Sequence, residues 1–331
     1  MKYRLKIIIL TIILITTIIF VVNVFLLNNY KTMKKTLKDP PTGSISILSA
    51  NVGNLDLNCR SVLNKLCHKD VEERISTNIR NLSPDIVVLQ EVLAPWQCIN
   101  KEKDNRKVCH EEQNIPQVRR LVGNNYTIIC NSRNQFECIA VKTSIGVILD
   151  CPLGTLCNNA RTLPEMEGCD NGFTISAATV KLLGANLTFD IVNLHPQSTS
   201  STCRAKMIST AIIGNESTPS LIQENKVILA GDFNLDPWRD HDESAITWNN
   251  LFGDGWNGQK FRYHSGIAEK TPPHYTSFIF YKKRTFDFIV SNFASGTCIV
   301  LGESPDTVRL DGGRGTDHRA IFGILNTNAQ E

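Results

Sequence analysis

The tetrapeptide Gly231-Asp232-Phe233-Asn234 directly follows the apolar run Val227-Ile228-Leu229-Ala230, and Gly315-Thr316-Asp317-His318 directly precedes a second apolar run, 319–325. Short apolar runs bounded by polar residues are typical of buried strands. Both clusters are therefore predicted to lie at strand ends, where a rigid sheet can present side chains to a substrate. Carboxylates, a carboxamide and an imidazole in such places can bind a hard divalent cation and move protons around a phosphate. The two clusters suggest phosphoester hydrolysis.

Polar side chains recur at other predicted strands of the chain. In chain order they are Asn51 after residues 44–50, Glu91 after 85–89, His195 after 187–194, and Asp287 within 285–291. Each one places a side chain capable of chemistry at or near the end of an apolar run.

The remaining pattern alternates between helices and strands, with strands in excess. Helices are predicted for 70–81 and 202–213, the first because its apolar residues recur at helical spacing. The adjoining strands 172–183 and 187–194 read as a hairpin, which favours antiparallel sheets. Further predicted strands are 136–141, 227–230 and 319–325, and long loops are predicted at 92–125, 150–171 and 235–284. The pattern predicts an α+β fold.

This set of residues resembles the endonuclease/exonuclease/phosphatase superfamily, which includes DNase I-like nucleases, bacterial sphingomyelinases and inositol polyphosphate 5-phosphatases. The resemblance extends over about residues 44–325. A single tetrapeptide would be a weak match, whereas an ordered set is specific. The signatures stand in the family's order as Asn51, Leu89-Gln90-Glu91, His195, Gly231-Asp232-Phe233-Asn234, Asp287 and Thr316-Asp317-His318. The resemblance implies a four-layer α/β/β/α sandwich, with two mainly antiparallel sheets face to face and helices outside.

The resemblance also implies a site for Mg²⁺, with Mn²⁺ as an alternative. Glu91 is the expected ligand, and Asn51 and Asp317 would complete or orient the ligand set. Magnesium prefers one or two carboxylates, keeps several waters, and takes an oxygen from a substrate phosphate. This small set of oxygen donors is consistent with that preference.

Two of the expected catalytic residues belong to the first cluster. Asp232 would deprotonate or align the attacking water. Asn234 would hold that water or the phosphate.

The other catalytic residues implied by the resemblance include two histidines. His318 would stabilise the transferring phosphoryl oxygens and be oriented by Asp317. His195 would act as general acid or contact the phosphate, oriented by a carboxylate that the sequence does not identify. Asp287 is either a catalytic carboxylate or a supporting one. Such general acid and base groups typically contribute ~10² to 10⁴ in rate.

Charge is unevenly distributed along the chain. Of 35 basic and 32 acidic side chains, residues 1–39 hold seven and one, which leaves 28 basic and 31 acidic groups in the rest. A domain of mildly negative charge is not built around a large phosphate-neutralising surface. We therefore do not expect strong sequence-independent affinity for nucleic acid.

The N-terminal segment has no charged residue from Ile7 to Tyr30. Roughly 20 apolar residues suffice to span a bilayer as a helix. An uncleaved membrane anchor is the first interpretation, and a cleaved signal segment or a buried core helix are the alternatives. The domain predictions follow from this: 1–30 as anchor or signal, 31–43 as a basic linker with Pro and Gly, 44–326 as the catalytic domain, and 327–331 as a tail.

The eleven cysteines all lie beyond the apolar segment. Close spacing suits short-loop disulfides in an oxidising compartment, with reduced thiols as the alternative. The predicted groups are 59 with 67, 98 with 109, 130 with 138, and the trio 151, 157 and 169, while Cys298 is predicted to be unpaired. We therefore expect a single-pass anchor with an extracytoplasmic catalytic domain, or a secreted domain if the segment is cleaved.

The substrate stays open at this point. The segment Asn193-Leu194-His195-Pro196-Gln197 resembles sphingomyelinase-like members, and a membrane anchor would suit a phospholipid headgroup. A nuclease is comparably supported, and an inositol phosphatase less so, because its additional lysine and arginine motifs are not evident. A catalytically silent, disulfide-stabilised binding module is the alternative of another class. We expect a phosphodiesterase or nuclease-like hydrolase that acts as a monomer.

Overall fold

The structure is a computed structural model. It describes residues 17, 42–53, 68–98, 108–109, 115–131, 137–169, 174–253, 262–263, 276–279, 282–303, 307–313 and 316–328. The predicted anchor 7–30 lies outside these ranges apart from Thr17, the predicted linker 31–43 apart from 42–43, and the predicted tail 327–331 apart from 327–328. The chain divides into two units, Met1–Ser44 and Ile45–Glu331. Within the described ranges, no helix has the length and apolar character needed to cross a membrane.

The described residues form helices and strands that alternate along the chain. The helices are α1 (Lys69–Leu82), α2 (Gln117–Val122), α3 (Ser201–Ile213) and α4 (Glu243–Trp248), with a 3₁₀ turn at Pro95–Cys98 and a π-helical turn at Asn249–Gly253. The strands are β1 (Ser44–Asn51), β2 (Ile86–Gln90), β3 (Tyr126–Cys130), β4 (Cys138–Lys142), β5 (Gly146–Ile148), β6 (Leu156–Cys157), β7 (Arg161–Thr162), β8 (Ile175–Leu182), β9 (Thr188–Leu194), β10 (Val227–Asp232), β11 (Arg262–Tyr263), β12 (Ser277–Ile279), β13 (Lys282–Arg284), β14 (Asp287–Ser291), β15 (Ser295–Val300) and β16 (Ile321–Asn326).

These strands build two large sheets and one small hairpin. The first sheet has the order β15-β16-β1-β2-β4-β3-β6, and the second has the order β11-β14-β10-β9-β8-β5, with β7 beside β8. Strands β12 and β13 pair with each other. Both large sheets are mixed, because β1 pairs with β2 and β9 with β10 in parallel, while the neighbouring pairs β2 with β4 and β10 with β14 are antiparallel.

The two sheets face each other across a shared apolar core. Ile47 and Val88 of the first sheet belong to one cluster with Ile191 and Ala230 of the second. The alternate residues of β10 point the other way, since Leu229 packs in a separate cluster with residues of α3 and α4. A strand buried on both faces reads as a continuous apolar run, which explains the uninterrupted sequence of β10.

Helices cover the outer faces of the sheets. Met207 of α3 and Trp248 of α4 join the cluster on the outer face of the second sheet, where the ring centroid of Trp248 lies 4.6 Å from that of Phe288. On the first sheet, Ile75 of α1 and Ala50 of β1 line the same small recess. Two mixed sheets with few helices confirm the predicted α+β fold.

Several short elements lie inside segments that the sequence predicts as loops. Helix α2 lies within 92–125, strands β6 and β7 lie within 150–171, and α4 lies within 235–284. Each has at most six residues. Periodicity cannot identify elements this short, because a pattern needs about two turns or four strand residues to repeat.

Disulfides form between most of the predicted partners. Cys98–Cys109, Cys130–Cys138 and Cys151–Cys157 are bonded as predicted. Cys169, which the sequence groups with Cys151 and Cys157, instead bonds Cys203. Cys298 is a free and buried cysteine of the described residues. The predicted pair 59 with 67 lies outside the described ranges.

Candidate active site

Parallel strand pairs bring the first four site residues together. The pairing of β1 with β2 places Asn51 opposite Gln90, so Glu91 follows directly beside it. The pairing of β9 with β10 places Leu194 opposite Gly231, so His195 and Asp232 follow at the same edge. Because the carboxyl ends of parallel strands meet at one edge of a sheet, distant parts of the sequence contribute to one site.

Gly231 allows β9 and β10 to approach closely before the site. A Cβ atom at this position would collide with the backbone oxygen of Leu194, and the residue has a φ of +146°. Only glycine adopts this backbone without strain. The glycine of the predicted tetrapeptide is therefore required by the geometry that places Asp232.

Two site residues have a left-handed backbone although they are not glycines. Glu91 has a φ of 57° and Asn234 a φ of 53°. Such conformations cost of order 1–3 kcal/mol and cluster at functional sites. At Asn234 the conformation is stabilised by its own amide, which donates to Oδ1 of Asp232 at 2.8 Å.

Asn51 lies at the centre of the site. Its Nδ2 atom donates to Oε1 of Glu91 at 3.2 Å and to Oδ2 of Asp232 at 3.1 Å. Its Oδ1 atom accepts from the amide of Gly53 at 2.9 Å. One carboxamide therefore holds two carboxylates from different sheets at a fixed separation.

A histidine and a carboxylate lie on one side of this centre. Nδ1 of His318 is 2.9 Å from Oδ2 of Asp287, and Nε2 of His318 is 3.4 Å from Oδ2 of Asp232. All three side chains are buried. Asp287 thus holds the ring so that Nε2 points toward the centre.

A second histidine and carboxylate lie on the other side. Nδ1 of His195 is 2.9 Å from Oε1 of Glu137, and Nε2 of His195 is 3.6 Å from Oε1 of Glu91. Glu137 is fully buried. The arrangement mirrors the first, so both imidazoles turn Nε2 toward the centre from opposite ends.

We call this line of contacts the polar row. Its members, in spatial order, are Glu137, His195, Glu91, Asn51, Asp232, His318 and Asp287. The row crosses the gap between the two sheets, because Asn51 and Glu91 belong to the first and Asp232 to the second.

The charges of the two histidine pairs follow from their surroundings. Burial alone would lower the pKa of His195, but the carboxylates of Glu137, Glu91 and Asp232 outweigh it and raise the pKa to about 10. Burial raises the pKa of Glu137 to about 7, against the opposing charge of His195. At neutral pH we describe the pair as an imidazolium facing a carboxylate, because each charge stabilises the other.

The second pair behaves in the same way. Burial would lower the pKa of His318, but the carboxylates of Asp287 and Asp232 raise it well above its usual range. Burial raises the pKa of Asp287, and the charge of His318 opposes that effect. Both imidazoles are therefore charged donors that point at one centre.

A buried amide network supports the site from behind. Nε2 of Gln90 donates to Oδ1 of Asn193 at 2.8 Å, and Nδ2 of Asn193 donates to the backbone oxygen of Leu89 at 2.9 Å. Gln90 directly precedes Glu91, and Asn193 lies two residues before His195. These bonds tie the two sheets together next to the polar row.

The segment that carries Asp317 and His318 is held by an ion pair. Arg309 and Asp311 form two hydrogen bonds of 2.9 and 3.0 Å. Arg309 also donates to the backbone oxygen of Thr316 at 2.7 Å. Gly315, the first residue of the predicted second cluster, lies outside the described ranges.

The structure brings the predicted residues together but corrects one of the partnerships. His318 is oriented by Asp287, and not by Asp317 as the sequence predicts. Adjacent residues of an extended chain point to opposite sides, so Asp317 cannot reach the ring of its own neighbour in this way. Asp317 is partly exposed near the rim of the site, within electrostatic range of Glu91. Asn234 donates through Nδ2 to the backbone oxygen of Pro196 at 2.9 Å, so its carboxamide supports the segment after His195.

Glu137 is the site residue that the sequence does not reveal. It lies 58 positions before His195 in the chain, at the amino end of an antiparallel strand. No motif accompanies it. The sequence shows only a single carboxylate directly before the buried run of β4. Solvent-exposed strand ends commonly carry such a carboxylate too, so this feature does not identify a site residue.

The donor atoms near Glu91 fit a divalent cation. Burial raises the pKa of Glu91, which means that its charge lacks full compensation, although His195 and Asn51 oppose the effect. A hard cation held by the oxygens of Glu91 and Asp317 would supply that compensation. The predicted third ligand, Asn51, presents Nδ2 to Glu91 while its Oδ1 accepts from Gly53, so it can orient this carboxylate but offers it no oxygen. Asp232, Asp287 and His318 also lie within metal-binding distance of one another. Nδ1 of His318 is bonded to Asp287, so Nε2 would be the ligand atom of this residue in the second set.

Comparison with known proteins identifies the fold. The sequence matches no protein-family model and no curated protein. The structure is similar to humanized D. rerio TDP2, with a TM-score of 0.56 and 19% identity over 86% of this chain and 100% of that one. It is also similar to an endonuclease/exonuclease/phosphatase from Bacteroides vulgatus, with a TM-score of 0.54 and 16% identity over 85% of this chain and 98% of that one.

A third similar structure is the human Nocturnin catalytic domain with bound sulfate anion. Its TM-score is 0.51, with 14% identity over 86% of this chain and 95% of that one. Each comparison spans nearly the whole of the known structure. The chain has the fold of the endonuclease/exonuclease/phosphatase superfamily, as the ordered motifs of its sequence predict.

Proposed function

We propose that the chain is a Mg²⁺-dependent phosphoester hydrolase that uses water for in-line attack at phosphorus. One observation carries the proposal: two imidazoles, each held by a buried carboxylate, face the same centre from opposite ends, with Asp232 and Glu91 between them. Charged donors on both sides of a site, beside a water-activating carboxylate, meet the needs of a reaction that develops negative charge on oxygen.

Asp232 is the residue proposed to align the water and accept its proton. Its Oδ1 atom is fixed by the amide of Asn234, and its Oδ2 atom lies near Asn51 and His318. A carboxylate with both oxygens held has a fixed direction for its remaining lone pairs. This fixed direction favours one position for the attacking water.

His195 and His318 are proposed to donate to the phosphoryl oxygens and the leaving group. Their Nδ1 atoms are engaged by Glu137 and Asp287, so only Nε2 faces the centre. A raised pKa keeps each ring protonated at neutral pH. His195 would protonate the leaving oxygen, while His318 would stabilise charge on the phosphoryl group.

Glu91 and Asp317 are proposed to hold Mg²⁺, with Mn²⁺ as a substitute. Asn51 is proposed to orient Glu91, because its Nδ2 donates to that carboxylate. The ion would neutralise charge on the phosphate as a Lewis acid. Asn51 also fixes the separation of Glu91 from Asp232, which keeps the metal side of the site apart from the water side.

A nucleic-acid phosphodiester is the substrate class that we favour. Support comes from a similar structure, D. rerio TDP2 complexed with single strand DNA product, with a TM-score of 0.55 and 16% identity over 86% of this chain and 99% of that one. The domain carries no excess of basic residues, so a short or single-stranded substrate suits it better than a long duplex.

Asn193, the first residue of the sphingomyelinase-like segment, does not discriminate between substrates. Asn193 of the segment 193–197 is fully buried and bonded to Gln90, Leu89 and Cys138. Its role in this structure is to join the sheets, which any substrate class would require. The substrate panel below therefore includes a lipid.

A substrate panel tests the proposed function. Purified full-length protein is incubated with single-stranded DNA, RNA, sphingomyelin and bis(p-nitrophenyl) phosphate, with Mg²⁺ or Mn²⁺ and with EDTA. We expect metal-dependent hydrolysis of a nucleic acid and of the aryl diester, with activity lost in Asp232→Ala. Hydrolysis of sphingomyelin alone would support the lipid alternative. Failure on every substrate would support the catalytically silent binding module.

Two further proposals rest on the sequence. We propose that residues 7–30 anchor the protein in a membrane with the catalytic domain outside the cytoplasm, and that the domain acts as a monomer. The disulfides are consistent with an oxidising compartment. Thiol labelling of intact cells before and after reduction tests this location, because a cytoplasmic domain would label without reduction.

A further inference from the structure

The disulfide Cys130–Cys138 lies directly beside the site. The two cysteines face each other as the last register pair of β3 and β4, and their sulfurs are bonded. Glu137, the residue directly before Cys138, contacts His195. We propose that this disulfide positions the Glu137 carboxylate against His195 and is thereby required for full activity. The inference rests on the proposed function, because it concerns the same site.

The disulfide and the carboxylate lie on opposite faces of one strand. Ile139 and Val141 of β4 belong to the core between the sheets. Because alternate residues of a strand share a face, Glu137 lies on that inner face and Cys138 on the outer one. The bridge therefore fixes the backbone from outside, while the carboxylate reaches across the gap to the second sheet.

Glu137 lies at a point where a strand would otherwise be weakly held. Regular pairing of β4 begins at Cys138, so Glu137 is one residue beyond it. The backbone oxygen of Glu137 accepts from the amide of Asn131 at 3.1 Å. Strand ends open more easily than strand centres. A covalent bond at the next residue limits this opening where the carboxylate must stay within hydrogen-bond distance of the ring.

The same backbone position also supports His195 from its own strand. The backbone oxygen of Cys138 accepts from Nδ2 of Asn193 at 3.3 Å, and Asn193 lies two residues before His195. Both members of the Glu137 and His195 pair are thus attached to the backbone at Cys138. A shift of the backbone at Cys138 would therefore move the Glu137 carboxylate away from the His195 ring and weaken the contact between the two sheets.

The chain contains a matched control disulfide. Cys151–Cys157 joins residues six apart, and Cys130–Cys138 joins residues eight apart. Loops of similar length give similar loss of entropy in the unfolded chain. Cys157 pairs with the other edge of β3, opposite Ile129, so this control flanks the same strand on the side away from β4. Removal of either bridge should lower stability, but only one adjoins Glu137.

The test compares the kinetics of two double variants of the full-length protein. Hydrolysis of a single-stranded DNA oligonucleotide, whose alkoxide leaving group needs a proton, is measured for C130A/C138A and for C151A/C157A. We expect the first to lose about tenfold or more in kcat with KM little changed, which is a small part of what a positioned acid contributes. The second should stay within about twofold of wild type. Equal losses in both variants, or full kcat in C130A/C138A, would overturn the proposal.

A double-mutant cycle on kcat shows whether the disulfide acts through Glu137. The C130A/C138A change is repeated in the Glu137→Gln background. If the bridge works by positioning the carboxylate, its loss in this background should change kcat by less than about twofold, because coupled residues give non-additive effects. An additive loss would show that the disulfide acts by another route.

A spectroscopic readout separates this inference from the proposed function. The ring N–H of His195 that bonds Glu137 should give a downfield proton signal, assigned by its absence in His195→Asn. The signal should persist in C151A/C157A and vanish or shift in C130A/C138A. If the alanine pair does not fold, C130V/C138V refills the volume and is measured instead. An inactive wild type would refute the proposed function, whereas an unchanged signal in the bridge variant would refute the positioning role.

Discussion

Oε1 of Glu137 lies 2.9 Å from Nδ1 of His195, across the gap between the two sheets. This contact makes the arrangement around the site nearly symmetric, because Asp287 and His318 have the same separation at the other end of the polar row. The site therefore has two oriented imidazoles, and each depends on a buried carboxylate for its direction and its charge.

Replacing Glu137 by Gln should lower kcat by about 10- to 100-fold with little change in KM. The reason is that a neutral amide no longer favours the imidazolium form of His195, and general acid help of this kind is worth ~10² to 10⁴. Steady-state kinetics on a single-stranded DNA oligonucleotide measures the effect, because its alkoxide leaving group needs a proton. Glu216→Gln, an exposed carboxylate on a turn, is the control. A KM effect without loss of kcat would contradict the assigned role.

The partnership of His318 gives a second prediction. Asp287→Asn and His318→Ala should each reduce kcat strongly, and the double variant should be no worse than about threefold below His318→Ala, because the carboxylate acts through the ring. Asp317→Asn combined with His318→Ala should give a further, additive loss, since Asp317 is assigned to the metal. If the kcat losses of Asp317→Asn and His318→Ala were non-additive, and those of Asp287→Asn and His318→Ala additive, Asp317 would be the residue that orients His318, as the sequence predicts.

The His195 and Glu137 pair should also affect stability in a pH-dependent way. In metal-free protein the pKa of His195 is raised to about 10, from an ordinary value of 6.5. Between these values the folded state holds a proton that the unfolded state has lost, so the stability contributed by His195 is full below about pH 6.5 and falls as pH rises toward 10. The pKa of Glu137 is also raised, from 4.5 to about 7, so stability begins to fall within that lower range as well. Urea unfolding in EDTA at several pH values should show a steeper fall in wild type than in His195→Asn/Glu137→Gln. Parallel curves would refute the charged pair.

Gly231→Ala tests the close approach of β9 and β10. The added Cβ would collide with Leu194, so we expect a loss of about 3 kcal/mol or more in the free energy of unfolding, at the upper end for single substitutions. Gly184→Ala is the control, because Gly184 has a φ of +76° but open space around its Cβ position. It should cost only about 1 kcal/mol. Urea unfolding measures both, and similar losses would show that backbone conformation alone matters.

The fold and most of the site could be predicted because their signals are local. Asn51, Glu91, His195 and Asp232 each follow a buried strand, and such positions can be read from a short window of sequence. Glu137 could not be predicted in this way. Its role arises only when the two sheets pack and bring it to a histidine 58 positions away.

The orientation of His318 was mispredicted for a related reason. Asp317 is the neighbour in sequence, but Asp287 is the neighbour in space, 31 positions earlier in the chain. Adjacent side chains of an extended segment diverge, whereas side chains that converge in the packed structure come from different strands. The disulfide Cys169–Cys203 was not predicted for the same reason, because its two cysteines are 34 positions apart in the sequence and meet only in the folded chain.

The metal dependence of hydrolysis of bis(p-nitrophenyl) phosphate by the full-length protein decides whether this site acts as proposed. We expect turnover with Mg²⁺ or Mn²⁺, its loss in EDTA, its recovery when the metal is restored, and a higher metal requirement in Glu91→Gln, because Glu91 is the assigned ligand. Folded wild-type protein that gives no turnover with either metal, or equal turnover in EDTA, would show that this site is not a metal-dependent phosphoester hydrolase.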